Sequence, residues 1–239
     1  DIRNAVAAAQ SATGWTGATA HNRAQILYYI AENLAAREEE FAARISAQTG
    51  RSASSAKAEV EMSISRLFTY GAWADKFDGQ VHTPPLRGVA LALPEAQGVV
   101  GVVCPPEAPL LGLISLVAPL IAMGNRVVAV PSEPHPLSAT DFYTVLETSD
   151  LPGGVINIVT GSSMELGKAL ASHNDVDALW AFGSSALSTM AEKASVGNLK
   201  RVFTDYGKAW DWMDPAQGEG PLYLRRATDV KNVWIPYGE

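Results

Sequence analysis

Cys104 is the only cysteine in a chain of 239 residues, and it ends the apolar run "GVVGVVC" just before Pro105, Pro106 and Glu107. A thiol at the end of such a run stands where open α/β sheets bind their ligands, so nucleophilic chemistry is the first reading to weigh. A reactive thiolate needs an activator such as a neighbouring histidine, lysine or helix N-terminus. The prolines supply none, and a carboxylate such as Glu107 raises a thiol pKa. Free cysteine is also among the most buried residue types, so Cys104 reads as a small core residue. His21, His82, His135 and His173 are scattered without ligand spacing, and no metal site is expected. No serine sits in a G-x-S-x-G elbow. The stretch "GSSMELG" (residues 161–167) lies where a phosphate-cradling loop belongs but lacks the G-x-G-x-x-G spacing. "FGSS" (residues 182–185) either offers free backbone N–H groups at a helix start or is an ordinary cap.

These residues need elements to hold them. Up to about Phe77 the chain is alanine-rich and helical. Ile26, Ile30 and Leu34 share one face, and Phe41 and Ile45 continue it. Thr49-Gly50 supplies a stop and Ser52 a cap for a second helix carrying Val60, Ile64, Leu67 and Phe68 inward. From Gly79 the texture changes to turn residues and β-formers, which predicts a hairpin over residues 80–93. Beyond it, apolar strands alternate with amphipathic helices: "VVGVVC", "RVVAV", "GVINIVTG", "VDALWAF" and "LKRVFTDYG" are the strands. Strands apolar throughout, separated by helices, argue for a parallel sheet covered on both faces. The fold class is therefore α/β, doubly wound and Rossmann-like, with N-terminal helices and a small β flap. After Trp210 the tail reads as irregular until the strand-like "TDVKNVWIP".

A formal net charge of −7 opposes a broad nucleic-acid or anionic-membrane surface. The longest apolar run, residues 110–123, is broken by Ser115 and Pro119 and is too short to span a bilayer. Neither a nucleic acid nor a membrane is an expected partner. A single cysteine excludes an internal disulfide framework and fits a reducing compartment, so cytoplasmic localisation is expected. Trp210, Trp212, Tyr223, Trp234 and Tyr237 crowd the end of the chain, a density that suggests an interface in an acidic protein. In "KNVWIP", Val233 and Ile235 face one way while Val230 and Trp234 face the other, which suggests docking by strand addition.

Taken together, these segments resemble the aldehyde dehydrogenase superfamily along nearly the whole chain. The carriers are "GVVGVVCPPEAPLLGLISLVAPLIAMGNRVVAVPSEPHPLSA", "LPGGVINIVTG", "VDALWAFGSSALS" and "NLKRVFTDYGK", in family order. The departures bear on function. The family's Trp-Asn, whose amide helps build the oxyanion hole, is Pro106 and Glu107, and a carboxylate there repels a developing oxyanion. The lysine of K-P-S-E is Val130, while Pro131, Ser132 and Glu133 remain. Phe-Thr-Gly-Ser appears as Ala181, Phe182, Gly183 and Ser184, and E-L-G-G-K as "DYGK", with Asp205 at the place of the general base. By resemblance, Ser132, Glu133, Gly183 and Ser184 are what remains of a cofactor site.

The family's catalytic domain, with its nucleophilic cysteine, would follow the "DYGK" motif. Here "GKAWDWMDPAQGEGPLYLRRA" leads straight to "TDVKNVWIPYGE", which resembles the family's C-terminal oligomerisation strand. The pattern is similar to the non-catalytic C-terminal region of aldehyde dehydrogenase family 16, and the start at Asp1 rather than Met fits a fragment of a longer polypeptide. The resemblance implies a helical section at residues 1–78, flap strands within 79–97 and 228–239, a Rossmann-like core at 98–210, and an irregular connection at 211–227 in place of the catalytic domain. It implies no catalytic residue and no aldehyde oxidation by this chain alone, because hydride transfer needs a thiohemiacetal held against the nicotinamide. No cofactor is expected; the alternative is a degenerate NAD-sensing domain that binds weakly without chemistry. The expected partner is a complete dehydrogenase unit on the same polypeptide, or a second copy, engaged through Val230, Lys231, Val233, Trp234 and Ile235.

Overall fold

The computed structural model describes residues 1–237; residues 238–239 of the expected flap segment lie outside the described residues. The chain opens with helices α1 (Ile2–Ser11), α2 (Gly14–Gly17), α3 (Ala20–Ala35), α4 (Glu38–Thr49) and α5 (Ala53–Ala74). The 3.6-residue spacing read from the sequence is the buried stripe: Ile26, Ile30, Leu34, Phe41 and Ile45 are all in the core. Gly50 ends α4 in the left-handed region at φ 72°, which glycine adopts without a Cβ penalty, and the Ser52 hydroxyl accepts from the Ser55 N–H to start α5. Val60 and Leu67 point inward as expected, but Ile64 is only half-buried. Phe68 corrects the expectation: it is 38% exposed and leans on Tyr28, centroids 5.9 Å apart. The inward positions next to it on the helix belong instead to Glu59, Ser63, Arg66 and Tyr70.

Next come β1 (Gln80–His82), β2 (Gly88–Ala96), β3 (Val99–Val103), α6 (Leu111–Ala122), β4 (Arg126–Val130), α7 (Leu137–Glu147) and β5 (Ile156–Ile158). They are followed by α8 (Ser163–Ser172), β6 (Ala178–Ala181), α9 (Ser185–Ala194), β7 (Arg201–Thr204), α10 (Pro215–Gly218), α11 (Pro221–Arg226) and β8 (Thr228–Pro236). Five strands form a parallel sheet in the order β5-β4-β3-β6-β7. Alternate residues of β3 serve opposite faces. Val100, Val102 and Cys104 join the core under α3, α5 and α6, whereas Val99 and Val103 join the core under α1, α8 and α9. Every residue of α6 is buried, so it reads as apolar all round rather than amphipathic. A fully buried leucine or isoleucine contributes about 1.5–3 kcal/mol, and α6 alone supplies six of them.

The second sheet is the flap, antiparallel, in the order β1-β2-β8. Its ladder runs from Gly88↔Pro236 to Ala96↔Thr228, so β8 coincides with the strand-like "TDVKNVWIP" and β2 runs three residues past the hairpin end expected at Leu93.

The tail corrects two expectations. Residues 211–227 contain two short helices, α10 and α11, each begun by a proline in its first turn. Trp210, Trp212 and Tyr223 do not face an interface; they fold back on the parallel sheet. Phe182 lies against Trp210 and Trp212 at 5.7 and 5.4 Å, and Phe203 against Trp180 and Tyr223 at 5.3 and 6.1 Å. Edge-to-face packing of this kind adds stabilisation beyond area burial. Trp234 and Tyr237 remain exposed.

Candidate functional site

The sheet order puts the topological switch between β3 and β6, where connections leave to opposite faces and a crevice opens beyond the strand ends. A cleft of about 620 Å³ lies there. Cys104 and Pro106 line it from the end of β3, Phe182, Gly183 and Ser184 from the end of β6, and Glu133 and Pro134 from the loop after β4. Ser163 and Met164 at the start of α8, with Leu187 on α9, complete the wall. The structure thus gathers Glu133, Gly183 and Ser184 around one cleft. Ser132 is not on its wall: it is buried, and its hydroxyl donates to the Pro106 carbonyl at 2.8 Å, pinning the loop after β3.

Cys104 is buried, its N–H donating to the Val130 carbonyl at 2.8 Å. Burial pushes its thiol far above the ordinary range. The cause differs from the one read in the sequence, since Glu107 is exposed and burial alone accounts for the direction.

Helix N-termini beside such a crevice normally offer unpaired N–H groups and a positive dipole end to a phosphate. Here the chain's own side chains take those groups. At α6, buried Glu59 accepts from the N–H groups of Leu110 and Leu111 through Oε1, at 2.9 and 3.1 Å, while Arg51 pairs with its Oε2. At α8, Glu133 Oε2 accepts from the Ser163 N–H at 2.8 Å, and the Ser162 hydroxyl accepts from Glu165. At α9, the Ser184 hydroxyl accepts from the Leu187 N–H at 3.1 Å.

Asp205 follows the same rule. It is buried at the end of β7, and its carboxylate accepts from the Gly183 N–H at 2.8 Å and the Gly207 N–H at 3.0 Å. The Ser188 hydroxyl donates to it from 3.4 Å. Gly207 is at φ 70°, and a Cβ there would meet the Ser185 nitrogen at 2.5 Å, so the turn that presents Asp205 requires glycine. Among the described residues no lysine or arginine lines the cleft. What the arrangement offers is an apolar cavity edged by a carboxylate that is already hydrogen-bonded.

Glu59 was not legible as a site residue, and neither was Arg66. The Arg66 guanidinium is fully buried and donates to the Ser115 hydroxyl and the Trp212 carbonyl, with Glu219 at 3.9 Å. Burial pulls its pKa below the ordinary value and Glu219 opposes this. The available signal was spacing: Glu59, Ser63, Arg66 and Tyr70 recur on the face marked by Val60 and Leu67. Among the described residues no group of three or more His, Cys, Asp or Glu is placed to hold a metal, and no helix is long and apolar enough to cross a membrane.

Comparison with known proteins gives consistent matches. The aldehyde dehydrogenase family model matches residues 1–209. An aldehyde dehydrogenase of Davidiella tassiana is 32% identical over 243 aligned positions, covering all of this chain and 47% of the relative. One of Agaricus bisporus is 34% identical over 245, with the same coverage. Among solved structures, the NAD-dependent aldehyde dehydrogenase from Sinorhizobium meliloti superposes with a TM-score of 0.81 at 28% identity, covering 85% of this chain and 41% of that one. Aldehyde dehydrogenase C from Pseudomonas syringae gives 0.80 at 35%, with 85% and 42% covered. The chain spans about half the length of the curated relatives it matches. With the family model matching residues 1–209 and relatives more than 30% identical over its whole length, this chain belongs to the aldehyde dehydrogenase family.

Proposed function

We propose that this chain is a non-catalytic aldehyde-dehydrogenase-like domain, of the kind found at the C-terminus of aldehyde dehydrogenase family 16, and that it works in assembly through its β flap. Its partner is a complete dehydrogenase unit on the same polypeptide or a second copy, in the cytoplasm. The observation that carries this reading is the contrast between flap and cleft. Strand β8 is the outer strand of its sheet, with Val230, Trp234 and Ile235 exposed by 61, 60 and 44%. An open edge with apolar side chains is a template for strand addition. Around the cleft, by contrast, the starts of α8 and α9 are taken by Glu133 and Ser184, and Asp205 at the general-base position is bound to backbone amides. Mixed with a complete dehydrogenase unit and followed by sedimentation velocity, the chain is expected to co-sediment. The chain ended before Thr228 is expected not to, and equal affinity with and without the strand would overturn the reading.

The alternative, a degenerate NAD-sensing domain, draws on the placement of Glu133, Gly183 and Ser184 around one cleft at the switch point. Against it stand the same carboxylates, since a pyrophosphate entering there meets negative charge where it needs donors. Calorimetric titration with NAD and NADP is expected to show no heat at millimolar ligand, and a spectrophotometric assay no aldehyde-dependent NADH. A saturable NAD isotherm would favour the sensing role.

A further inference from the structure

The outer edge of β8 carries more information than its exposure. The Tyr237 N–H donates to the Arg87 carbonyl at 3.1 Å, continuing the ladder in which Pro236 faces Gly88. In an antiparallel pair the residues directed at the neighbour alternate. The odd-numbered residues of β8 therefore turn their N–H and C=O groups toward β2, and Thr228, Val230, Asn232, Trp234 and Pro236 turn theirs outward. The Thr228 carbonyl agrees: it accepts from Arg201, which lies outside the flap.

We propose that this edge is self-complementary, and that two copies of the chain pair β8 with β8 in antiparallel fashion about a twofold axis at Asn232. The proposal rests on the reading of the flap as the assembly element and names the second copy as its occupant. With Asn232 opposite Asn232 of the second copy, Val230 falls opposite Trp234. The two most exposed apolar side chains of the strand, on one face by alternation, then cover each other reciprocally. Asn232 meets its own counterpart, and side-chain amides both donate and accept.

The register also resolves the one defect of the edge. Pro236 has no N–H to give, and in this register it lies opposite Thr228, whose carbonyl already has Arg201 as donor. An axis at Val233 would set Pro236 against Val230 and leave the Val230 carbonyl without a donor. An axis at Lys231 would set Trp234 against Thr228, separating it from Val230 and directing its N–H at an acceptor already in use. On the other face Lys231 lies opposite Val233, and its charge is met within its own copy by Glu95 at 3.0 Å. Edges that avoid pairing carry unpaired lysines, bulges or central prolines. Here the ladder is unbroken from Thr228 to Pro236 and the proline is at its end.

The test uses single-cysteine crosslinking and sedimentation of this chain. Cys104 is buried, so an introduced surface thiol is the reactive one. In a directly opposed hydrogen-bonded pair the Cα atoms are about 5.5 Å apart, within reach of a disulfide. N232C is therefore expected to form an intermolecular disulfide on mild oxidation. V230C places its two thiols about 14 Å apart along the strands and is expected not to. The wild-type chain is expected to sediment as a concentration-dependent dimer. V230P removes an outward N–H without touching the ladder to β2, and is expected to raise the dimer dissociation constant about 30-fold. If V230P does not fold by circular dichroism, W234E supplies the same comparison. A wild-type monomer at every concentration, or V230C crosslinking as readily as N232C, overturns the homotypic register. Should the monomeric chain still bind a complete dehydrogenase unit in a manner abolished by ending it before Thr228, this inference fails and the assembly reading stands. Should it bind neither, both fail.

Discussion

Replacing Glu59 with alanine is expected to lower the stability of the fold by about 3–5 kcal/mol, chiefly because two buried amides lose their acceptor at about 1–3 kcal/mol each. The side chain is fully buried and serves three donors: the N–H groups of Leu110 and Leu111 and the guanidinium of Arg51. Deletion strands two amides at the start of the most buried helix of the molecule and leaves a half-exposed arginine facing a void. Glu59→Gln keeps an acceptor for the amides and loses the ionic partner, so it is expected to fall between wild type and Glu59→Ala. Urea denaturation followed by tryptophan emission measures both. A Glu59→Ala midpoint equal to wild type would mean that α6 is not held from α5 in this way.

Arg66→Ala is expected to cost about 2–4 kcal/mol, from the cavity it leaves and the acceptors it orphans. Its consequences should be more local than those of Glu59→Ala. Arg66 reaches from α5 to Ser115 on α6 and to the Trp212 carbonyl in the tail, and it lies against Gly218 so closely that a Cβ there would meet the guanidinium. Tyr70 reinforces the same attachment by accepting from the Gly220 N–H at 3.2 Å. Without the arginine, residues 211–227 should loosen before the parallel sheet does. The expected signature is loss of the near-ultraviolet dichroism of Trp210 and Trp212, with accelerated tryptic cleavage at Arg225 and Arg226, at denaturant concentrations where far-ultraviolet ellipticity is still native. Unchanged cleavage in Arg66→Ala would remove Arg66 from the role of anchor. Arg66→Lys keeps the charge but not the two-armed donor geometry and should restore only part of the protection.

Both residues lie where sequence reading is weakest. The five strands of the parallel sheet and the helices around it were legible because their order is written in local apolar patterns, "VVGVV" and "RVVAV" above all. Ile26, Ile30 and Leu34 announce their face by spacing alone. Glu59 and Arg66 are on such a face too, but a polar residue at an inward position is explained only by its partners. Those partners are 51 positions away at Leu110 and 146 at Trp212. Phe68 shows the converse: an aromatic was assigned inward although the inward places were taken by the polar stripe. Asp205 was read through the chemistry of a general base, whereas its surroundings make it a tether between two turns. The tail helices were missed because each is a turn or two long, held by tertiary contacts that leave little periodic trace.

The ladder that joins Gly88 to Pro236 has a bearing on how the molecule comes into being. Strand β2 is made before every strand of the parallel sheet, and its long partner β8 only after all of them. Until then it has only the three-residue β1 beside it, and a two-stranded ribbon is barely stable in water. Closing so distant a pair carries a large loop-entropy penalty that falls only after the intervening chain has collapsed. Between the synthesis of β2 and that of β8 the nascent polypeptide therefore carries a long β edge bare, and that interval is when this edge is most exposed to mispairing with its neighbours.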